Sequence, residues 1–211
     1  MANIIPPTLL APNEEKLAAL APKWKKEIAA LGKIAGEGGF LAAQAPLRGT
    51  DSTDVAALAN TRFEPDDAAN NGSSITVLAE YQGRSVLLGA DAHAPLLVSS
   101  IKKLLEQRGQ ARLKLDAFKL PHHGSEKNLS KELMLLLDCK AYLVSTNGST
   151  FNHPDRVAIS RVIRFGGERP RLFFNYESAV NVVWKDAALQ HQHVYETVYP
   201  DPGQQGLIVH L

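Results

Sequence analysis

One cysteine, Cys139, is all the thiol this 211-residue chain has, so no internal disulfide can form, and a reducing compartment fits. Its neighbours LLLDCKAYLV read as a helix end running into a buried strand, which favours a packed thiol over a nucleophile. A bias of charge is missing too. The 23 basic residues stand against 22 acidic ones, a formal net charge of +1. That balance excludes the uniform field behind non-specific nucleic-acid binding and leaves only a local patch. No apolar run reaches the roughly 18 to 20 residues that cross a bilayer. The opening MANIIPPTLLAPNEEK has neither the basic region nor the apolar core of a signal peptide. A cytoplasmic protein with no membrane partner is the expectation. Internal repeats and low-complexity tracts are also lacking, and a composition of 45% hydrophobic and 21% charged residues suits a single folded domain over 1–211.

What is present is alternation of strand and helix. Residues 13 to 31 begin with Asn13 as a cap candidate and acidic residues in the first turn, then carry apolar side chains at helical spacing, with Pro22 as a potential break or kink. Residues 32 to 72 hold no sustained period and read as a weak strand and a long loop, variable over 45–72; loops of that length are usually functional or disordered. From Ser74 the pattern sharpens: SITVLAEY, QG and RSVLLGAD spell a hairpin. A helix over about 95–108 closes at Gly109. LKLDAFKL is a strand, LSKELMLLLD a helix capped near Ser130, KAYLVST a strand, and HPDRVAISRVIRF a helix stopped by Gly166 and Gly167. The tail segments RPRLFFNY, AVNVVW and QGLIVHL read as strands. The fold class expected is α/β, a mixed β-sheet covered by helices.

Three successive strands end in loops that carry Asp or His. The hairpin's second strand runs out to Asp91 and His93, the next into PHHG with His122 and His123, and the one after into STNGSTFNHP with His153. Imidazole and carboxylate without thiolate suit Zn, Mn or Fe, and strand ends aim ligands better than free loops do. Gly89 and Gly124 permit tight turns beside such a site, and Pro121 stiffens the approach. Each residue also has a plain alternative. Asp91 alone is a common turn residue, His-His pairs are often surface residues, and His153 can cap the following helix. His191 and His193 have ligand-like spacing, but period two also marks one face of an exposed strand. Phe173, Tyr176 and Trp184 could stack on bases and read better as core.

The three strings NGSSITVLAEYQGRSVLLGAD, DAFKLPHHGS and VSTNGSTFNHP, in this order over residues 70 to 157, resemble the C-terminal half of the metallo-β-lactamase superfamily, in the branch related to the nuclease-like domain of ComEC DNA-uptake proteins. LLAPNEEKLAALAPKW is similar to the strand and helix that precede the variable loop in stand-alone members. The resemblance implies one half of an αββα sandwich with one or two Zn2+ or Mn2+ ions, acting as a hydrolase on phosphodiester or other ester bonds. It makes Asp91 the metal-bridging carboxylate and His122 or His123, with His153, ligands or substrate-orienting groups. Asp91 and His123 become the catalytic candidates, and Ser125, Ser145 and Asn147 their supports. Ala90 departs from the family's usual Gly-Asp. The first-half motif His-x-His-x-Asp-His is absent, and HQHVYE, the nearest string, has Tyr195 where the aspartate would stand. Half a sandwich exposes an apolar sheet face. The expected partners are therefore a complementary N-terminal half or a second copy, besides a nucleic acid or nucleotide substrate; the alternative is an inactive binding subunit that keeps the fold.

Overall fold

The period-two segments pair in the order in which the chain makes them. The computed structural model describes residues 6–31, 52–204 and 206–211. Among these, β1 (Thr8–Ala11), β2 (Thr76–Tyr81), β3 (Arg84–Leu88), β4 (Leu113–Lys119), β5 (Leu137–Val144), β6 (Arg171–Phe174) and β7 (Glu196–Val198) form one sheet in chain order. The first two pairings are antiparallel and the remaining four parallel. The helices are α1 (Glu14–Leu31), α2 (Val55–Ala59), α3 (Ala69–Gly72), α4 (Ala94–Arg108), α5 (Lys131–Leu135), α6 (Arg156–Phe165) and α7 (Ala187–His193). The chain is α/β, a mixed sheet covered by helices, as its alternation predicts. None of the described helices is long and apolar enough to cross a membrane.

Consecutive parallel strands joined by crossovers of one hand put every crossover helix on the same face. The core shows this: Leu97 and Ile101 of α4, Leu133 of α5 and Ile159 and Val162 of α6 share one buried cluster with Leu87, Phe118 and Tyr142 of the sheet. The opposite face is smaller, built on Ala117, Ala141 and Phe173, and the chain's own C-terminal residues Leu207 and Val209 pack against it. Gly206 N–H donates to the Asn175 carbonyl (2.8 Å) and starts the tail on that path. QGLIVHL thus uses its alternating apolar residues as cover, and not as the strand its pattern suggests. Part of the face expected to need another chain is covered from within.

Other expectations change for local reasons. Asn13 does accept from Lys16 N–H (2.9 Å), and α1 runs through Pro22. The 32–72 loop is partly outside the described residues. Within the rest lie α2, capped by Asp54, whose carboxylate accepts from Ala57 N–H (2.9 Å), and α3. Each is too short for a helical period to register. AVNVVW is no strand. Buried Asn181 accepts from Ser178 N–H (3.0 Å) and donates to the Tyr176 carbonyl (2.9 Å), closing a turn that seats Trp184 in the core. HQH belongs to α7, a helix capped by Asp186, so His191 and His193 are not a strand face. Cys139 is buried, as expected, and burial pushes its thiol up to about 12.

Candidate functional site

Because β3, β4 and β5 are parallel, their C-terminal ends share one edge of the sheet. A Cβ on Gly89 would lie 2.8 Å from the Lys119 carbonyl oxygen and 2.9 Å from the Pro121 nitrogen, so only glycine lets these two strand ends run together. Beyond them opens a cavity of about 810 Å3, with Asp91, His122, His123 and His153 all on its wall. Ser145 and Asn147 line it as well, whereas Ser125 is buried in the loop behind and accepts from Lys127 N–H (3.3 Å). His93 is not part of the cavity. Its ring lies against Gly72 and its Nε2 stands 3.0 Å from the Ala68 carbonyl, a packed histidine with a satisfied nitrogen.

The backbone is forced into position here. Ala90, His122, His123 and Asn152 have φ of 47°, 44°, 56° and 57°, a left-handed conformation that costs a side-chain-bearing residue about 1–2 kcal/mol. They adjoin or include Asp91, the histidine pair and His153, and such outliers gather where function over-determines a loop. Hydrogen bonds hold the shape. His122 N–H donates to the Ala90 carbonyl (2.7 Å), and Asp155 N–H to the Gly124 carbonyl (3.0 Å).

The hydrogen-bond partners also fix the three imidazoles chemically. Asn128 spends its amide NH2 on Asp66 Oδ2 (3.0 Å) and on the Asp91 and Ala92 carbonyls (3.2 Å each), so the oxygen 3.1 Å from His122 Nδ1 is an acceptor. The Asn71 amide nitrogen is further from that ring nitrogen, at 3.5 Å, and donates to Asp66 Oδ2 (2.8 Å), so the shorter contact puts the proton on Nδ1. His123 Nδ1 faces the Ser145 carbonyl at 2.6 Å, which can only accept. His153 Nδ1 faces Asp155 Oδ1 at 3.3 Å, likewise an acceptor when ionised. With Nδ1 as the donor in each ring, Nε2 is the nitrogen left over, and no hydrogen bond among the described residues takes it up. Metal-binding histidines are set up in this way, Nδ1–H on an oxygen and Nε2 on the ion.

Asp66, Asn128 and Asp155 went unmarked in the sequence. Asp66 sits in a stretch without period and is indistinguishable there from Asp67. Buried to 9% side-chain exposure, it stands 3.6 Å from His122 Nδ1. Burial alone would raise its pKa, but the Ala68 N–H and the Asn71 and Asn128 amides outweigh that and hold it below the usual carboxylate range. Asp155 caps α6 by position only. Its carboxylate turns away to Glu126 N–H (2.8 Å) and His153. Lys119 was missed as well: buried beside Asp91, it donates to the Leu120 carbonyl (2.9 Å), and burial lowers its pKa while the Asp91 charge works to raise it.

A depressed carboxylate stabilises the fold above its unfolded pKa and stops doing so as pH falls through its folded one. Asp66→Asn is therefore expected to be less stable than the wild type at neutral pH, with the gap closing in acid below about pH 4. Urea unfolding across pH checks this; a gap that widens in acid refutes it.

In kind, the donors fit a divalent first-row ion: three imidazole nitrogens and one carboxylate on one wall. Two imidazoles sharing an ion at about 2.0–2.1 Å from each nitrogen hold their ring centres roughly 5–6 Å apart, and those of His122 and His153 are 5.4 Å apart. His123 is further out, 6.4 Å from His122. Among the described residues, no three His, Cys, Asp or Glu side chains stand close enough together to hold one ion. In comparisons with known proteins, no family model matches the chain, and no match is found to a curated protein or to a solved structure.

Proposed function

We propose that the chain is a metal-dependent hydrolase, with His122 and His153 holding a Zn2+ or Mn2+ ion, Asp91 completing the site and His123 orienting a phosphodiester substrate. The observation that carries this is a shared pattern: three histidines from two loops line one cavity, each with Nδ1 against an oxygen, which leaves Nε2 as the nitrogen for a ligand. A divalent ion bound there supplies Lewis acidity and lowers the pKa of coordinated water toward neutrality. The chain's own residues do the rest. Asp66 and Asn128 keep the proton of His122 on Nδ1, Asp155 does the same for His153, and Asn147, whose oxygen accepts from Ser149 N–H, keeps its NH2 as a donor for the substrate. The resemblance to the metallo-β-lactamase superfamily points the same way. It adds a complementary N-terminal half or second copy as the source of further ligands; the cytoplasmic setting we propose rests instead on the single cysteine, Cys139.

A second reading, an inactive binding subunit that keeps the fold, rests on the absence of any three-ligand cluster among the described residues. Metal analysis of the purified protein, with hydrolysis of bis(p-nitrophenyl) phosphate before and after chelation, separates the two. Stoichiometric zinc or manganese and chelator-sensitive hydrolysis are expected. Protein that stays metal-free and inert after loading with either ion decides for the binding subunit.

A further inference from the structure

Among the described residues, no lysine or arginine lines the cavity: three imidazoles, four asparagines, two threonines, Ser145, Phe151 and Tyr176 stand around a single carboxylate, Asp91. Lys23 donates to Asn70 Oδ1 (3.0 Å), and Lys119, which feels the Asp91 charge, donates to the Leu120 carbonyl. Three of the amides share one arrangement. Asn70 Oδ1 is taken by Lys23, Asn147 Oδ1 by Ser149 N–H (3.0 Å) and Asn175 Oδ1 by Thr146 N–H (2.8 Å). Each therefore keeps an NH2 group that no bond among the described residues takes up, a neutral donor on a residue of the cavity wall. Beside them Phe151 stands 56% exposed, its ring centre 6.1 Å from that of His153. An aromatic ring left in water at a cavity mouth is a stacking surface for a flat ligand.

From this wall, and resting on the hydrolase reading above, we infer that the site takes a small, singly charged phosphodiester bearing a nucleobase or aryl group, and not the polyanionic backbone of a long nucleic acid. Neutral NH2 donors satisfy the oxygens of one diester. A polynucleotide track instead needs a row of cations to release its counterions, and the described residues of this wall offer none. The volume suits the choice, since about 810 Å3 lies within the range of small-ligand sites.

The test is calorimetric binding to the metal-loaded protein of two probes, the single-diester dinucleotide of thymidine and a long single-stranded oligothymidylate, each at low and high salt. The dinucleotide is expected to bind with a Kd that moves less than about twofold between roughly 50 and 200 mM salt, where a protein making many phosphate contacts loses about 10^3-fold or more. The oligonucleotide should bind no more than a few times tighter. Phe151→Ala should weaken the dinucleotide at least about fivefold, from the lost stacking. Asn147→Asp, which keeps the oxygen bound to Ser149 N–H but replaces the donor with a negative charge, should weaken it about tenfold or more. Oligonucleotide binding that is orders of magnitude tighter and steeply salt-dependent overturns the inference, as does failure of both probes to bind. In either case, hydrolysis of bis(p-nitrophenyl) phosphate by the same preparation leaves the hydrolase reading standing.

Discussion

Replacing Arg161 with methionine is expected to destabilise the protein by about 3–5 kcal/mol. The guanidinium is 2% exposed, yet its partners are all backbone carbonyls: Glu126 (2.7 Å), Leu129 (2.9 Å) and Thr61 (3.0 Å). Methionine fills a similar volume and leaves three acceptors unmet, each worth about 1–3 kcal/mol when buried, less where water can reach. The positive charge is itself costly to bury: burial lowers the pKa of Arg161, and Glu126 only partly counters this. Those carbonyls nevertheless bind the loop that follows the histidine pair to α6 and to the segment after α2. Urea unfolding of the variant gives the figure, and a loss under about 1 kcal/mol refutes the argument. The same loop carries Asn128, so Arg161→Met protein that still folds should also lose grip on the proton of His122.

The sheet was readable because its signals are local. TVLAEY and RSVLL alternate around Gln82-Gly83, and Gly109 ends α4 with a left-handed φ of 61°, as a terminal glycine should. The site was readable in part for the same reason, since Asp91, the histidine pair and His153 each follow directly on a strand. Of their supports, Ser145 follows a strand too and was readable, but the carboxylates were not. Asp66 reaches His122 across fifty-six residues of sequence and Asp155 reaches Glu126 across twenty-nine, and no period or turn signal encodes such a meeting. The failures at the C-terminus have another cause. Valine-rich AVNVVW and alternating LIVHL carry strand propensity, but propensity describes a pleated, half-buried surface without saying what supplies the other half. Buried Asn181 overrides it in the first segment. In the second, a sheet face without crossover helices takes the apolar residues as packing.

Replacing His122 with alanine is expected to weaken binding of the proposed divalent ion at least about 100-fold, because even loss of an outer partner of a metal-bound histidine costs about 10- to 100-fold. Asn128→Ala supplies that lesser case. The ring stays, but the oxygen that pins its proton to Nδ1 goes, along with the amide bond to Asp66, so a loss of about 10- to 100-fold should follow. His191→Ala is the control, since that imidazole lies on α7, away from the cavity wall. Competition with a zinc-sensitive dye gives the three affinities, and circular dichroism confirms that each protein is folded. The order His122→Ala weakest, Asn128→Ala intermediate and His191→Ala unchanged follows only if Nε2 of His122 is a ligand and Nδ1 its tether. Equal losses in the first two leave the tether unsupported, and a loss confined to His191→Ala moves the metal to an adventitious surface site. Should His122→Ala bind as tightly as the wild type, the tautomer argument fails at its first step, because a lone pair held open by such a network would then serve no ion.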